Sequence, residues 1–121
     1  MNVVFPIIEL FDRYAIACVK WERTNANEDE LMFYKDQIEQ FDTKSVYQLI
    51  YELIDIHNAI WDLEWQLKTG VEDQLPLDEI GRRAIKIRNY NNQRITIKNK
   101  IAELLNDTVR EIKQDHLSDN T

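Results

Sequence analysis

Apolar residues recur along the chain at intervals of three and four, the period of helices that bury one stripe. Ile7, Leu10, Phe11, Tyr14, Cys18 and Trp21 form the first stripe and predict a helix ending near Arg23. Pro6 suits its first turn, where a missing N–H costs nothing. The polar stretch TNANED ends this helix, and Asn27 with Glu30 three residues on reads as a capping box for a second, shorter one. Leu31, Tyr34, Ile38 and Phe41 are its expected apolar face. Asp42 and Thr43 supply the next cap, after which Leu49, Leu53, Ile56, Ile60, Leu63 and Leu67 alternate by four and three. Gly70 closes that third helix. Asp78 is the expected cap of a fourth, starting near Glu79 and carrying Ile80, Ala84, Ile87, Tyr90, Ile97, Ile101 and Leu104. Continued to His116 it would span about 57 Å at about 1.5 Å per residue, so a break is expected at Asn106-Asp107-Thr108, where Thr108 and Glu111 form a further capping box.

The pattern predicts an all-α protein, an up-and-down antiparallel bundle of three long helices and one shorter helix, with a short fifth helix at the C-terminus. The presence of only two glycines and two prolines fits long uninterrupted helices. A chain of 121 residues supports one core, so a single bundle domain is expected over 1–117, followed by a disordered tail at 118–121.

Charge narrows the partners. The chain holds 22 acidic and 15 basic residues for a net charge of -7, which repels a phosphate backbone, and no nucleic-acid partner is expected. The N-terminal apolar run is cut by Glu9, Asp12 and Arg13 before it could act as a signal core, and no stretch is long enough to span a bilayer. The lone Cys18 lies in an apolar stripe, where an inert thiol is the expectation. A cytoplasmic protein with no membrane partner is the reading. No glycine-rich loop is present to hold a phosphate and no cysteine–histidine set to hold zinc, so no cofactor and no metal is assigned.

The informative positions are polar residues on apolar stripes. His57, Trp61 and Glu64 share a flank of the third helix, and Asn91, Arg94 and Lys98 a face of the fourth. If those helices are antiparallel neighbours the two sets meet, with Glu64 and Arg94 as candidates for a partly buried salt bridge. Charge agrees: residues 80–102 hold seven bases and no acid, and 22–79 hold fifteen acids and four bases. The same groups also suit a site for an anionic small molecule, with Arg94, Lys98 and Asn91 as donors and His57 as acid or base. Three E-x-x-D pairs, Glu9 with Asp12, Glu39 with Asp42 and Glu52 with Asp55, match half of the arrangement used by all-helical nucleotide pyrophosphatases. The other half, E-E-x-x-E, is absent.

Three ordered segments, IIELFDRYAIACVKWER, HNAIWDLEWQL and IGRRAIKIRNYNNQRITIKNKI, are spread over roughly residues 7–104. They resemble the E-L-x-D-[KR], N-x-x-L-W-x-x-E and N-x-x-R-x-x-x-K segments of an uncharacterised all-helical family of bacteria, including marine ones, and their phages. Members often lie near polysaccharide-biosynthesis genes. The resemblance implies an all-helical fold and picks out Glu9, Asp12, Arg13, Lys20, Trp61, Glu64, Asn91, Arg94 and Lys98. Two departures stand out: Trp65 where the family has a second acid after Glu64, and Asn91-Asn92 where it has Asn-Asp.

Two functions follow. One is a non-enzymatic helical interaction module with an internal charged network, self-associating as a homodimer through the C-terminal helix. The other is a binding or hydrolytic protein for a phosphorylated or sugar-nucleotide ligand. Its candidate cluster is Glu9, Asp12, Lys20, His57, Trp61, Glu64, Asn91, Arg94 and Lys98.

Overall fold

The computed structural model describes residues 6–68 and 75–106, with side chains for 6–65 and 75–106. Among them are four α-helices and no strand: α1 (Ile7–Thr24), α2 (Glu28–Ile38), α3 (Tyr47–Lys68) and α4 (Leu77–Leu104), with a short 3₁₀ turn at Thr43–Val46 before α3. The expected all-α bundle is what the chain forms. The fifth helix, the tail and the Gly70 cap lie outside the described residues.

Helix directions follow from the links between helices. Arg13 meets Tyr34 and Lys20 meets Glu30, so α2 runs back along α1. Asp12 meets His57 and Arg23 meets Asp62, so α3 runs parallel to α1. Glu9 meets Lys98 and Asp12 meets Arg94, so α4 runs opposite to it. This is the up-and-down order. α1 is the central element, packing against α2, α3 and α4 alike. Its buried residues therefore extend beyond one stripe: Ile8, Leu10, Phe11, Asp12, Ala15, Ala17 and Val19. Phe11, Ala15, Ala17, Val46, Leu53 and Ile101 are fully enclosed and form the centre of the core.

Several boundaries shift by a residue for local reasons. Pro6 caps α1 from outside the helix, its carbonyl accepting from the N–H groups of Glu9 and Leu10 at 3.0 and 2.9 Å. Pro76 does the same for α4, so that helix begins at Leu77 and Asp78 lies in its first turn rather than at the cap. The Asn27–Glu30 capping box does not form. Asn27 takes a left-handed backbone (φ 64) that turns the chain, and its side chain makes no cap hydrogen bond. Asp42 does cap, accepting from the Lys44 N–H at 3.2 Å. The expected break at Asn106 is present: α4 ends at Leu104 and Asn106 is left-handed, φ 63.

The apolar stripes are rotated from those drawn on sequence. On α3 the buried positions include Ile50 and His57 beside Leu53, Ile56 and Ile60, while Leu49 and Leu63 are half-buried. On α4 they are Ile95, Lys98, Ile101 and Ala102, and Ala84 and Leu104 are exposed. The fully buried residues of α4 all lie in its C-terminal third, while Ile80, Ile87 and Tyr90 nearer its start are half-buried. Cys18 is half-buried and burial pushes its thiol above the ordinary range, as an unreactive cysteine requires.

Asn25, which turns the chain out of α1 with φ 54, offers a direct check on these turns. Asn25→Ala should cost about 1 kcal/mol in urea unfolding, because alanine bears the left-handed penalty without asparagine's local hydrogen bonding, whereas Asn25→Gly should cost nothing.

Candidate functional site

Among the described residues three polar groups are buried in this core: Asp12 at 5% exposure, His57 at 7% and Lys98 at 2%. They come from different helices and converge. His57 Nε2 lies 2.7 Å from Asp12 Oδ1. Lys98 Nζ lies 3.6 Å from Asp12 Oδ2 and 3.4 Å from Glu9 Oε1. Arg94 Nε lies 3.8 Å from Asp12 Oδ1. Each helix delivers its residue by ordinary helical spacing: Glu9 and Asp12 are one turn apart on α1, and Arg94 and Lys98 one turn apart on α4.

Burial by itself would raise the Asp12 carboxyl. The hydrogen bond from His57, with the charges of Arg94, His57 and Lys98, outweighs burial and holds it below its ordinary value of 3.8. Asp12 is therefore a carboxylate, which can only accept, so the proton in the short bond belongs to His57 Nε2. That leaves Nδ1 as the ring nitrogen not engaged by Asp12.

Beside the network is a cleft of about 260 Å³ lined by Ile16, Val19, His57, Ile60, Trp61, Glu64, Asn91 and Arg94. Its α4 wall is Asn91 and Arg94, half-buried side chains just before the fully buried stretch of that helix. Ile16, Val19 and Ile60 form an apolar floor. The Arg23 guanidinium lies over the Trp61 ring, 5.9 Å from its centroid. Arg23 in turn is tied to Asn58 Oδ1 at 3.0 Å and Asp62 Oδ1 at 2.6 Å.

The structure thus gathers eight of the nine candidate residues into the network or the adjoining cleft: Glu9, Asp12, His57, Trp61, Glu64, Asn91, Arg94 and Lys98. Lys20 lies on the neighbouring α1–α2 face, 3.9 Å from Glu30. The expected partner of Arg94 is corrected: its ion pair is with Asp12 of α1, while Glu64 shares the cleft with it. At the core the α4 cations Arg94 and Lys98 go to α1 acids; nearer the start of α4, Arg82 and Arg83 pair with Glu79 on their own helix, and Asp62 pairs with Arg23. Sequence reasoning missed Arg23 with Asn58 and Asp62, and the apolar floor residues. Their signal was weak, since an exposed Arg-Asp pair on distant helices has no spacing rule. Of the E-x-x-D pairs, Glu9 and Asp12 are engaged by Lys98, and among the described residues no three His, Cys, Asp or Glu side chains are grouped to hold a metal.

No family model, curated protein or solved structure matches this chain. The chemistry of the site is therefore argued from its geometry. Among the described residues no helix is long and apolar enough to cross a membrane.

Proposed function

We propose that the protein is a non-enzymatic small-ligand-binding domain, with the cleft between α1, α3 and α4 as its site and the Asp12 network as the frame that positions the lining residues. The supporting observation is shared membership, since His57 and Arg94 each reach Asp12 and also line the cleft. A network that only joined helices would use up its own donors. Here Arg94 Nε is buried without a hydrogen-bond acceptor, its distance to Asp12 being too long for one. An apolar floor with a few convergent polar groups is the usual makeup of a ligand pocket.

The test is a thermal-shift screen of small metabolites on the wild type and on Arg94→Ala. At least one compound should raise the wild-type Tm, since a ligand at a hundred times its Kd adds about 2.7 kcal/mol. Arg94→Ala should cost only about 1 kcal/mol, because His57 and Lys98 still hold Asp12, and it should lose the response. A wild type that responds to nothing, or an Arg94→Ala variant that responds equally, refutes the site.

A second reading, an interaction module, is favoured by Tyr47 and Tyr51. Both are more than half exposed, with ring centroids 5.2 Å apart, beside a groove of about 180 Å³ floored by Ile38, Ile50 and Ile54. Such tyrosines are frequent anchors at interfaces. Sedimentation equilibrium decides the homodimer form of this reading: a dimer dissociated by Tyr51→Ala supports it, and a strict monomer removes it.

A further inference from the structure

We infer that the cleft takes a neutral planar heterocycle carrying N–H groups, a free nucleobase in size and chemistry, lying against Trp61 with its polar edge toward His57 and Asn91. The inference rests on the binding reading above and names the ligand's class.

The charges around the cleft are already used within the protein. Arg94 faces Asp12 at 3.8 Å, Lys98 faces both Asp12 and Glu9, and Glu64 has a partner of its own. Holding an ion here would mean disturbing those pairs, which is costly where the groups are buried. The capacity that remains is uncharged. Among the described residues no hydrogen bond engages the second ring nitrogen of His57, the indole N–H of Trp61 or the carboxamide of Asn91. All three residues line the cleft. His57 Nδ1 is not one of the side-chain nitrogens sealed inside without a hydrogen bond. In a residue only 7% exposed, its opening is the cleft that the ring lines.

Shape and hydrogen-bonding pattern narrow the class. Because Nε2 carries the proton given to Asp12, Nδ1 of the neutral ring holds a lone pair and accepts. Asp12 also fixes the orientation of the ring, as a carboxylate does for an imidazole that works through its other nitrogen. Trp61 stands one turn beyond His57 on α3, so the two share a face, and Asn91 borders the same cleft from α4. A carboxamide sets a donor beside an acceptor, which matches the neighbouring acceptor and donor on the edge of a nucleobase. The Trp61 ring, under the Arg23 guanidinium, is a fixed flat surface for a second ring. Ile16, Val19 and Ile60 make an apolar floor, against which a body with hydroxyls on every side would leave some of them unpaired. At about 260 Å³ the cleft falls just below the roughly 300–1,000 Å³ of sites for drug-sized ligands, which leaves room for one single or fused ring. A net charge of -7 repels a phosphate backbone, so the free base is the ligand and not a strand.

Isothermal titration calorimetry on the full chain tests this with adenine and cytosine, each beside its dimethylated counterpart, whose exocyclic nitrogen carries no hydrogen, and with the matching nucleoside monophosphates and D-glucose. At least one base should bind, about tenfold or more tightly than its dimethylated counterpart or D-glucose, and its monophosphate should bind no more tightly. Asn91→Leu should weaken that base about tenfold with unchanged circular dichroism. If that variant fails to fold, Asn91→Asp, which keeps the shape and loses the donor, gives the same comparison. In nitrogen-resolved NMR of the two histidines, the Nδ1 resonance of His57 should move when the base is added while its Nε2 resonance holds. A dimethylated base binding as tightly as its parent, or a bound base that leaves Nδ1 unmoved, overturns the polar edge. D-glucose binding as tightly overturns the flat ring, and a monophosphate binding tenfold more tightly than its base overturns the neutral ligand. If neither base binds, the ligand class is wrong, and the thermal-shift screen separately decides whether the cleft binds anything.

Discussion

Asp12→Ala should destabilise the protein by about 3–5 kcal/mol, lowering its Tm by roughly ten degrees or more. Asp12 is 5% exposed and is the one acceptor common to His57, Arg94 and Lys98. Removing it leaves cationic groups facing one another in a region water barely reaches. Asp12→Asn, which keeps an acceptor and loses the charge, should fall between alanine and wild type. The pH dependence has a definite sign. Because the folded carboxyl is held below 3.8, its contribution is complete above that ordinary value and is lost as pH falls through the lower folded one. Urea midpoints taken from about pH 7 downward should therefore drop more steeply below about pH 4 for wild type than for Asp12→Asn. An Asp12→Ala loss under about 1 kcal/mol would mean that water replaces the network at little cost.

Lys98→Ala should cost a similar amount, about 3–5 kcal/mol, for two separable reasons. Lys98 is 2% exposed, among the largest fully enclosed side chains, so truncation opens a cavity between α1 and α4. It also leaves Glu9 and Asp12 without their shared cation. Lys98→Met retains the stem and loses only the charge, so it should recover part of the loss. The double variant Asp12→Ala with Lys98→Met should lose less than the sum of the single changes, with a coupling of about 1–3 kcal/mol in chemical denaturation. Strict additivity would show that the two groups are neighbours without being partners.

These effects bear on function because the network and the cleft share His57 and Arg94. Changes at Asp12 or Lys98 reach the cleft through the frame, whereas Arg94→Ala acts on it directly. Comparing stability and ligand response across these variants separates frame from site.

Helix positions were legible because periodicity is local. Six apolar positions at spacings of four and three leave α3 no other regular structure that buries them together, and the α4 break at Asn106 follows from a polar run. The polar interruptions at His57 and Lys98 were legible for the same reason, since they share faces with apolar side chains, whereas Asp12 lies off the first helix's stripe and entered the cluster only through the resemblance. The rotation of each stripe was not, because it depends on how many neighbours a helix has. α1 touches three helices and buries more than one face, while the fully buried residues of α4 are confined to Ile95, Lys98, Ile101 and Ala102.

Spacing was thus enough to predict a helical bundle and the α3 and α4 members of a polar cluster. Which charge meets which was set by packing. Glu64 and Arg94 looked like partners when α3 and α4 were laid side by side, and those helices do pack together, yet α1 lies against both and presents Asp12 to His57, Arg94 and Lys98. Coulomb attraction falls with distance and depends on burial, and both are properties of helices already packed together.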